Sequence, residues 1–473
     1  MTQKRRKPAR KPKVTQSARR VQDISLEITG LSHDGAGIAR LDGMAVFVPG
    51  AFPGDKVVAR VVQTKTNMAR AELIDITHPS PDRVESPCAV SHRCGGCTFC
   101  GVRYEAQIEW KTRAVRDAIY RIAGLKDVNV RACMGAREPE RYRNKAQFPV
   151  AIQRGKVVAG CYAKGTHDVV ATDHCLIQHE YNDIIVKEAL QLISQFGLSV
   201  YDERRGTGLV RHVMGRVAPG TGECIAVIVT SSRKFPRARE FAKALMARVP
   251  QLVGVVQNIN PEKTNIILGK DTRILEGRGY VDDLFGNERI GTLRFRISPL
   301  SFYQVNTEQA ARLYEKALDY ADLKRWETAI DLYSGIGTIT LFLAQKCSSA
   351  IGIEEVFEAV KDARQNQKLN GIRNASFVNG RAERVLPSVL ARTGVQPNVI
   401  VLDPPRKGCD PLLLSTLARA RPERVVYISC YPPTLARDLA VLHKHGYATI
   451  EVQPIDLFPY TSHVETVALV SRR

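Results

Sequence analysis

Residues 329–344, AIDLYSGIGTITLFLA, decide the fold of the C-terminal part of this chain. An apolar run ending at Tyr333 is followed by a turn that contains Gly335 and Gly337, and then by an apolar stretch of helical character. Glycine lets the backbone turn tightly against a ligand, and the N-terminus of the following helix then points at that ligand. The order strand, glycine turn, helix therefore predicts a cofactor site at the end of a buried strand.

Apolar strand-like runs recur through the same region, with helical stretches between them. The runs are TAIDLY at 328–333, SAIGIE at 349–354, VIVLD at 399–403 and RVVYIS at 424–429. Alternating strands and helices are typical of a doubly wound α/β domain with a mainly parallel sheet, which we assign to residues 291–473. Ligands of such open sheets bind beyond the carboxyl ends of the strands. Asp403 and Cys430 are therefore expected to face the cofactor, although a strand-end cysteine is often simply buried.

Two features bear on the identity of the cofactor. The turn reads D-L-x-x-G-x-G, which differs from the dinucleotide fingerprint G-x-G-x-x-G and resembles the first motif of class I S-adenosylmethionine methyltransferases. Glu354 ends the next strand, where an acid can accept hydrogen bonds from ribose hydroxyls. Together the two features favour S-adenosylmethionine, and a nicotinamide cofactor is the competing interpretation.

The length of 473 residues predicts two to three domains. Residues 1–20 hold nine Lys or Arg and no acid, so we predict a basic disordered tail. Residues 21–76 alternate apolar and polar residues between Gly and Pro turns, which predicts a small antiparallel β-barrel of the oligonucleotide-binding type. We assign residues 77–290 to a central α+β domain, in which residues 104–123 have helical spacing and are placed to pack on the catalytic domain.

The charge of the chain indicates a polyanionic partner. The formal net charge is +21, and removing the first 20 residues leaves +12 on the rest. Nucleic acid is the usual partner of so basic a folded protein, and a merely soluble basic protein is the alternative. No apolar run approaches the roughly 20 residues needed to cross a bilayer, and the N-terminal residues lack the apolar segment of a secretory signal. We therefore expect a cytoplasmic protein without a membrane partner.

The cysteines are clustered rather than scattered. Of 11 cysteines, Cys88, Cys94 and Cys97 lie together in PCAVSHRCGGCTFC, and disulfides are not expected in a reducing compartment. Thiolates this close can share one metal centre, and both zinc and an iron–sulfur cluster accept four of them. The fourth ligand is either the nearby Cys100 or the distant Cys175, and the alternative is a group of reduced thiols without a metal.

From about residue 20 to its end, the chain resembles the RNA (uracil-5-)-methyltransferase family. The pieces that carry the resemblance are YRNKAQFPV (142–150), SFYQVN (301–306), DLYSGIG (331–337), LDPPRKG (402–408), SCYPPT (429–434) and HVETVALV (463–470), together with the CGGC segment. Each piece alone is a weak indication, whereas the ordered set is specific. Tyr431 and Ser334 depart from the residues that are usual at their positions, and Cys100 adds a thiol beside CGGC.

The resemblance implies roles for particular residues. It makes Cys430 the nucleophile that adds to uracil and Glu465 the base that removes the proton from ring carbon 5. It implies that S-adenosylmethionine is held by Gln304, Tyr333, Glu354 and Asp403. The branch of the family that acts on ribosomal RNA has an N-terminal barrel called TRAM and a 4Fe-4S cluster. The cluster ligands of that branch fall on Cys88, Cys94, Cys97 and Cys175.

We therefore expect methyl transfer from S-adenosylmethionine to C5 of a flipped uridine in a loop of 23S rRNA, by a monomer. The first alternative is the same reaction on tRNA. A cytosine-5 enzyme is less consistent with the sequence, because that family commonly carries a second cysteine beside the proline of its Asp-Pro motif, where this chain has Arg406. A non-catalytic RNA-binding or iron–sulfur factor would explain the charge and the clustered cysteines, but not Cys430 together with Glu465.

Overall fold

The computed structural model describes residues 23–394 and 396–473, so the predicted basic tail at residues 1–20 lies outside the described residues. The chain divides into two compact units, an N-terminal one that ends at Pro81 and a C-terminal one that runs from Asp82 to Arg473. Among the described residues, no helix is both long and apolar enough to span a membrane.

The N-terminal unit is a six-stranded sheet. Its strands are β1 (Asp23–Glu27), β2 (Gly30–Leu31), β3 (Ala36–Leu41), β4 (Met44–Pro49), β5 (Lys56–Thr64) and β6 (Met68–His78). The order in the sheet is β1-β5-β6-β4-β3-β2. Small and branched apolar side chains, including Ala39, Val46, Val57 and Ala59, alternate into a core of their own. The prediction of a wholly antiparallel barrel was wrong in one pairing, since β4 and β6 run parallel. The β5–β6 hairpin fixes the direction in which β6 reaches the free edge of β4.

The central part of the C-terminal unit comprises a seven-stranded sheet and the two helices that cover it, preceded by one helix and one short strand that pack with the catalytic sheet. Its elements are α1 (Tyr104–Arg121), β7 (Asn129–Val130), β8 (Lys145–Gln153), β9 (Lys156–Tyr162), β10 (Val169–Ala171), α2 (Glu180–Gln195), β11 (Val210–Val217), β12 (Cys224–Thr230), α3 (Ala238–Arg248), β13 (Leu252–Ile259) and β14 (Asp271–Gly277). The sheet order is β10-β9-β8-β11-β12-β13-β14, and only β12 and β13 pair in parallel among these described strands. Apolar residues of α2 and α3 cover this sheet and share one core with it.

The remaining elements form a separate two-stranded hairpin, which comes first, and the predicted doubly wound domain. They are β15 (Val281–Asn287), β16 (Gly291–Ile297), α4 (Thr307–Ala321), β17 (Thr328–Leu332), α5 (Thr338–Ala344), β18 (Ser349–Glu354), α6 (Phe357–Leu369), β19 (Ala375–Asn379), α7 (Ala382–Thr393), β20 (Val399–Leu402), α8 (Pro411–Ala420), β21 (Arg424–Ser429), α9 (Pro432–Lys444), β22 (Tyr447–Ile455) and β23 (Glu465–Arg472). The sheet order is β19-β18-β17-β20-β21-β23-β22-β7. The four apolar runs quoted from the sequence are β17, β18, β20 and β21.

Both faces of this sheet are buried, as a doubly wound fold requires. Along β17, Ala329 faces one hydrophobic core and Ile330 the other, and along β20 Val399 and Ile400 divide in the same way. Strands buried on both faces read as continuous apolar runs, which is why the sequence revealed them. The strand order reverses between β17 and β20, so a crevice opens beyond the carboxyl ends of these two strands.

One strand departs from the parallel arrangement. β23 lies between β21 and β22 and runs antiparallel to both. Its first residue, Glu465, therefore lies at the same edge of the sheet as the last residue of β21, Ser429. Because β23 is antiparallel, its start lies beside the end of β21, at the edge of the sheet where the crevice opens.

The chain between β22 and β23, residues 456–464, is held by α1. Lys111 of α1 and Asp456 are both fully buried and form an ion pair. Lys111 Nζ also donates to the carbonyl oxygen of Phe458 at 3.1 Å, and the Tyr104 hydroxyl donates to Asp456 Oδ2 at 2.8 Å. α1 thus packs on the catalytic sheet through α9 and β22 and also fixes the segment that leads to Glu465.

Replacement of Lys111 should destabilise the C-terminal unit strongly. The variant Lys111→Met leaves the Asp456 carboxylate buried without its cation, which we expect to lower the free energy of unfolding by about 3–5 kcal/mol. Both tryptophans of the chain, Trp110 and Trp326, lie in this unit, so tryptophan fluorescence during urea unfolding reports on it alone. The exposed Lys126→Met is the matched control. A loss below about 1 kcal/mol for Lys111→Met would mean that the pair does not hold α1 to the sheet.

Candidate active site

The turn after β17 is shaped for a ligand. Tyr333, Gly335 and Gly337 all have positive φ angles, of 73°, 55° and 85°. A Cβ at Gly337 would lie 2.8 Å from the Phe377 ring, so only glycine fits there, whereas a Cβ at Gly335 would meet nothing within 4 Å. The turn therefore packs tightly on its inner side and faces open space at Gly335.

Glu354 completes this turn. One of its carboxylate oxygens accepts a hydrogen bond from the backbone N–H of Gly335 at 3.0 Å, and the other accepts from Val356 N–H at 2.7 Å. These two bonds orient the carboxylate at the end of β18, beside the glycine turn. Such a carboxylate still has lone pairs for the hydroxyl groups of a bound ribose.

Cys430 and Glu465 lie side by side because of strand register. Ser429 of β21 pairs with Thr466 of β23, and the Thr466 hydroxyl donates to the Ser429 carbonyl at 2.9 Å. Cys430 directly follows Ser429 and Glu465 directly precedes Thr466, so both residues lie at this end of the two strands. They line the same cavity and their charges interact, which places the thiol and the carboxyl within reach of one substrate ring.

Burial and charge set the protonation of this pair. Burial, together with the nearby Glu465 and Asp403, raises the pKa of the Cys430 thiol to about 11, and Arg406 opposes the rise. Burial raises the pKa of Glu465 well above its usual range, with Asp403 adding to the rise and Arg406 opposing it. Burial also raises the pKa of Asp403 to about 6. Arg406 is thus the cation that favours the ionised forms of both Cys430 and Glu465.

Arg406 is itself positioned by His463. Its Nη2 lies 3.2 Å from both ring nitrogens of His463. Burial lowers the pKa of His463 to about 4, and the charge of Arg406 lowers it as well, so the ring is neutral at pH 7 and can accept a hydrogen bond from the guanidinium.

A single cavity of about 870 Å³ holds every site residue predicted from the sequence. Its lining includes Cys430, Glu465, Gln304, Tyr333, Glu354, Asp403, Cys88, Cys94, Cys97 and Cys175. The cofactor turn, the thiol–carboxyl pair and the cysteine segment are thus three parts of one space. Its volume is within the range of cavities that bind a cofactor together with a substrate group.

Seven cysteines line this cavity, of which the sequence had singled out six. The seventh is Cys161 of β9, whose thiol lies beside that of Cys94, as the Cys97 thiol lies beside that of Cys100. A Cβ at Gly96 would lie 3.5 Å from the Sγ atoms of both Cys94 and Cys161, so the glycine makes room for that pair. In the described part of the chain, no group of three or more His, Cys, Asp or Glu side chains is arranged to hold a single metal ion.

Sequence reasoning missed several residues of the cavity wall. Cys161 lies in a strand with no second cysteine near it in sequence, so no spacing pattern revealed it. Arg143 and Lys145 lie in the quoted YRNKAQFPV segment, where a period of two would have placed them on one face. His463 precedes Glu465 in HVE, and only the folded chain shows its contact with Arg406.

Two family models match this chain. Residues 255–473 match the model described as tRNA (Uracil-5-)-methyltransferase, and residues 18–74 match the model of the TRAM domain. The second match covers the six-stranded N-terminal sheet, and the first covers the doubly wound domain together with both Cys430 and Glu465.

The chain is also similar to curated proteins over nearly its whole length. It is 44% identical over 447 residues to an uncharacterised RNA methyltransferase of Halalkalibacterium halodurans, a match that covers 94% of this chain and 96% of that protein. It is 43% identical over 451 residues to an uncharacterised RNA methyltransferase of Caldanaerobacter subterraneus, covering 95% and 98%. The fold is that of the Pyrococcus abyssi tRNA (uracil-54, C5)-methyltransferase crystallised with S-adenosyl-L-homocysteine, with a TM-score of 0.74, 24% identity and coverage of 94% and 100%.

The charge of Arg406 should increase the rate at which Cys430 reacts with an alkylating reagent. Because the pKa of Cys430 is raised to about 11, its alkylation by iodoacetamide should rise about tenfold per pH unit between pH 7 and 9. Arg406→Gln removes the opposing cation, which raises that pKa further and should slow alkylation by roughly tenfold at pH 8. Mass spectrometry of the peptide that contains Cys430 measures the rate, and Arg419→Gln, an exposed arginine on α8, is the control. Equal rates in Arg406→Gln and in the unmodified chain would contradict this account of the site.

Proposed function

Because this chain belongs to the tRNA (uracil-5-)-methyltransferase family and carries a TRAM domain, we propose that it transfers a methyl group from S-adenosylmethionine to C5 of a uridine in RNA. The observation that carries the proposal is that Cys430 and Glu465 lie close together at the sheet edge, in the same cavity as the cofactor turn. A thiol beside a carboxyl suits a reaction that needs a nucleophile and a proton acceptor on one ring.

Cys430 is proposed as the nucleophile. Uracil C5 is a poor nucleophile by itself, but addition of a thiolate to C6 gives an enolate whose C5 can attack an electrophilic methyl group. S-adenosylmethionine supplies that methyl group when it is bound. Arg406 favours the thiolate that the first step requires, although burial opposes it.

Glu465 is proposed as the base. After methyl transfer, C5 carries both the methyl group and its original hydrogen, which must leave as a proton before the ring is restored. Burial raises the pKa of Glu465, which makes its carboxylate a stronger proton acceptor than an exposed glutamate. When Glu465 takes this proton, the bond between C6 and the Cys430 sulfur breaks, and the thiolate leaves.

Tyr333, Glu354, Asp403 and Gln304 are proposed to hold the cofactor. Glu354 is fixed by the N–H of Gly335 and presents acceptors for ribose hydroxyls, while Tyr333 and Asp403 follow the two strands between which the crevice opens. The Gln304 carbonyl oxygen accepts a hydrogen bond from Asn144 Nδ2 at 2.9 Å, so the Gln304 backbone is held against the central sheet.

Ribosomal RNA of the large subunit is the proposed substrate, and tRNA is the alternative. The proposal rests on the TRAM domain together with the cysteine-lined cavity, the two features in which this chain resembles the branch of the family that acts on 23S rRNA. The target base has to leave its stack to reach Cys430, which favours a uridine in a loop.

We further propose that Cys88, Cys94, Cys97 and Cys175 ligate a 4Fe-4S cluster. The donor set fits, because these four thiols line one cavity and Cys thiolates are the usual ligands of such clusters. The backbone suggests a structural role. Thr98 and Phe99, between Cys97 and Cys100, each donate an N–H to the carbonyl oxygen of Tyr460 at 2.9 Å, in the segment that leads to Glu465.

The covalent step can be tested by blocking its last stage. In Glu465→Gln, addition and methyl transfer proceed but the C5 proton stays, so a protein–RNA adduct that resists denaturation should accumulate in cells expressing the variant. Sequencing the attached RNA then identifies the substrate, and 23S rRNA is the expected result. The double variant Cys430→Ala/Glu465→Gln is the control and should give no adduct. Full methyl transfer by Cys430→Ala would contradict the mechanism, and an adduct with tRNA alone would contradict the proposed substrate.

The cluster proposal makes a separate prediction about iron. Protein purified without oxygen should contain about four iron atoms per chain, and Cys97→Ser should lose most of them and its visible absorption. Cys347→Ser, which changes a buried cysteine outside the cavity, is the matched control. Cys100→Ser and Cys161→Ser should retain iron, because they are not among the proposed ligands. Full iron content in Cys97→Ser would contradict the assignment, and so would its loss in Cys100→Ser.

A further inference from the structure

One wall of the active-site cavity is positively charged, and the proposed reaction does not use that charge. Lys145 and Gln147 alternate along the start of β8, Arg143 lies two residues before Lys145, and all three line the cavity that contains Cys430. Side chains two residues apart on a strand share a face of the sheet. The carboxylates that line the cavity, including Glu354 and Asp403, belong to the methyltransferase domain, so these cations and those carboxylates come from different parts of the fold.

A third cation lies beside Lys145 on the neighbouring strand. Lys145 pairs with Arg216 of β11 in the antiparallel register, so two cationic side chains stand directly opposite each other. Arg216 is only 1% exposed, and its Nη2 donates to the carbonyl oxygen of Ser301 at 2.9 Å. Its Nε has no hydrogen-bond partner among the described residues. Like charges directly opposed in a sheet are destabilising, and burial increases that cost.

No acidic side chain in the described ranges 23–394 and 396–473 relieves this repulsion with an ion pair. Burial, together with the charges of Arg216 and Arg143, lowers the pKa of Lys145 to about 7. Burial likewise lowers the pKa of Arg216 to about 10. A protein that keeps buried cations together without a counter-charge has a site that is completed by an anion from outside.

We propose that Arg143 and Lys145, supported by Arg216, form a binding site for a phosphodiester group of the RNA, next to the nucleotide whose base enters the cavity. This inference rests on the proposed function, because it assumes that the base reaches Cys430. A flipped nucleotide carries its own phosphodiester linkages to the mouth of the pocket, and contacts to phosphate fix position without reading sequence. The carboxylate of the cofactor is the other anion that could enter this cavity, and the experiment separates the two.

The measurement is the salt dependence of binding of a short single-stranded oligouridylate to the full-length protein. Each cation that contacts a phosphate of a single strand contributes about 0.7 to the slope of log K against log salt concentration. Lys145→Met should therefore lower the slope by about 0.7 and weaken binding. Lys156→Met, which changes an exposed lysine of β9 in the same sheet, should leave the slope unchanged. Arg143→Gln should cause the same loss of slope, so the test remains valid if Lys145→Met folds poorly.

Two further measurements, of thermal stability and of S-adenosylmethionine affinity, distinguish a phosphate site from a structural role and from cofactor binding. Lys145→Met removes a repulsive charge, so the thermal midpoint of the free variant should rise while its RNA affinity falls. S-adenosylmethionine affinity should stay within about twofold of the original. An unchanged slope in Lys145→Met overturns the inference, and so does weakened S-adenosylmethionine binding with unchanged RNA binding. If the unmodified chain still methylates RNA in either case, only the phosphate site is wrong and the proposed function stands.

Discussion

The antiparallel pairing of β21 with β23 is the constraint on which the candidate site depends. A wholly parallel sheet would bring only strand ends to the crevice. Because β23 runs the other way, its first residue, Glu465, arrives beside Cys430, which follows the last residue of β21. Backbone hydrogen bonds of a ladder buried on both faces hold this register, so the thiol and the carboxyl keep their spacing without a direct bond between them. A shift of the strand register by one residue would turn the side chains of the shifted strand to the other face of the sheet.

The segment before Glu465 explains why distant parts of the C-terminal unit contribute to one site. Lys111 on α1 neutralises Asp456 in the interior, Gln107 accepts a hydrogen bond from Tyr460 N–H at 3.0 Å, and the cysteine segment donates two N–H groups to the Tyr460 carbonyl. The Tyr142 hydroxyl donates to the Pro459 carbonyl at 3.1 Å. A segment with these partners cannot move without breaking buried hydrogen bonds, each of which is costly to leave unmade. The same contacts give the proposed cluster a physical role, since ligation of Cys97 would stiffen the backbone that holds the Tyr460 carbonyl.

The sequence predicted the buried strands and the motif residues, because a doubly buried strand is a continuous apolar run and a strand end marks where ligands bind. The family resemblance, which the comparisons confirm, supplied the pairing of Cys430 with Glu465. Long-range packing was not predictable. Nothing near Cys161 in the sequence connects it with Cys94, and the opposition of Lys145 to Arg216 exists only once β8 and β11 pair. The parallel β4–β6 pair was missed for the same reason, because alternation of apolar residues indicates a strand but not its direction.

The central claim is that methyl transfer occurs at C5 through a step in which the C5 hydrogen leaves. The most direct measurement uses RNA from cells that lack this protein, labelled with tritium at C5 of uridine and incubated with the purified chain and S-adenosylmethionine. The account predicts that one tritium enters water for each methyl group incorporated, and that 5-methyluridine is the modified nucleoside. Methyl incorporation with full retention of tritium would contradict it, because the methyl group would then be on another atom of the RNA.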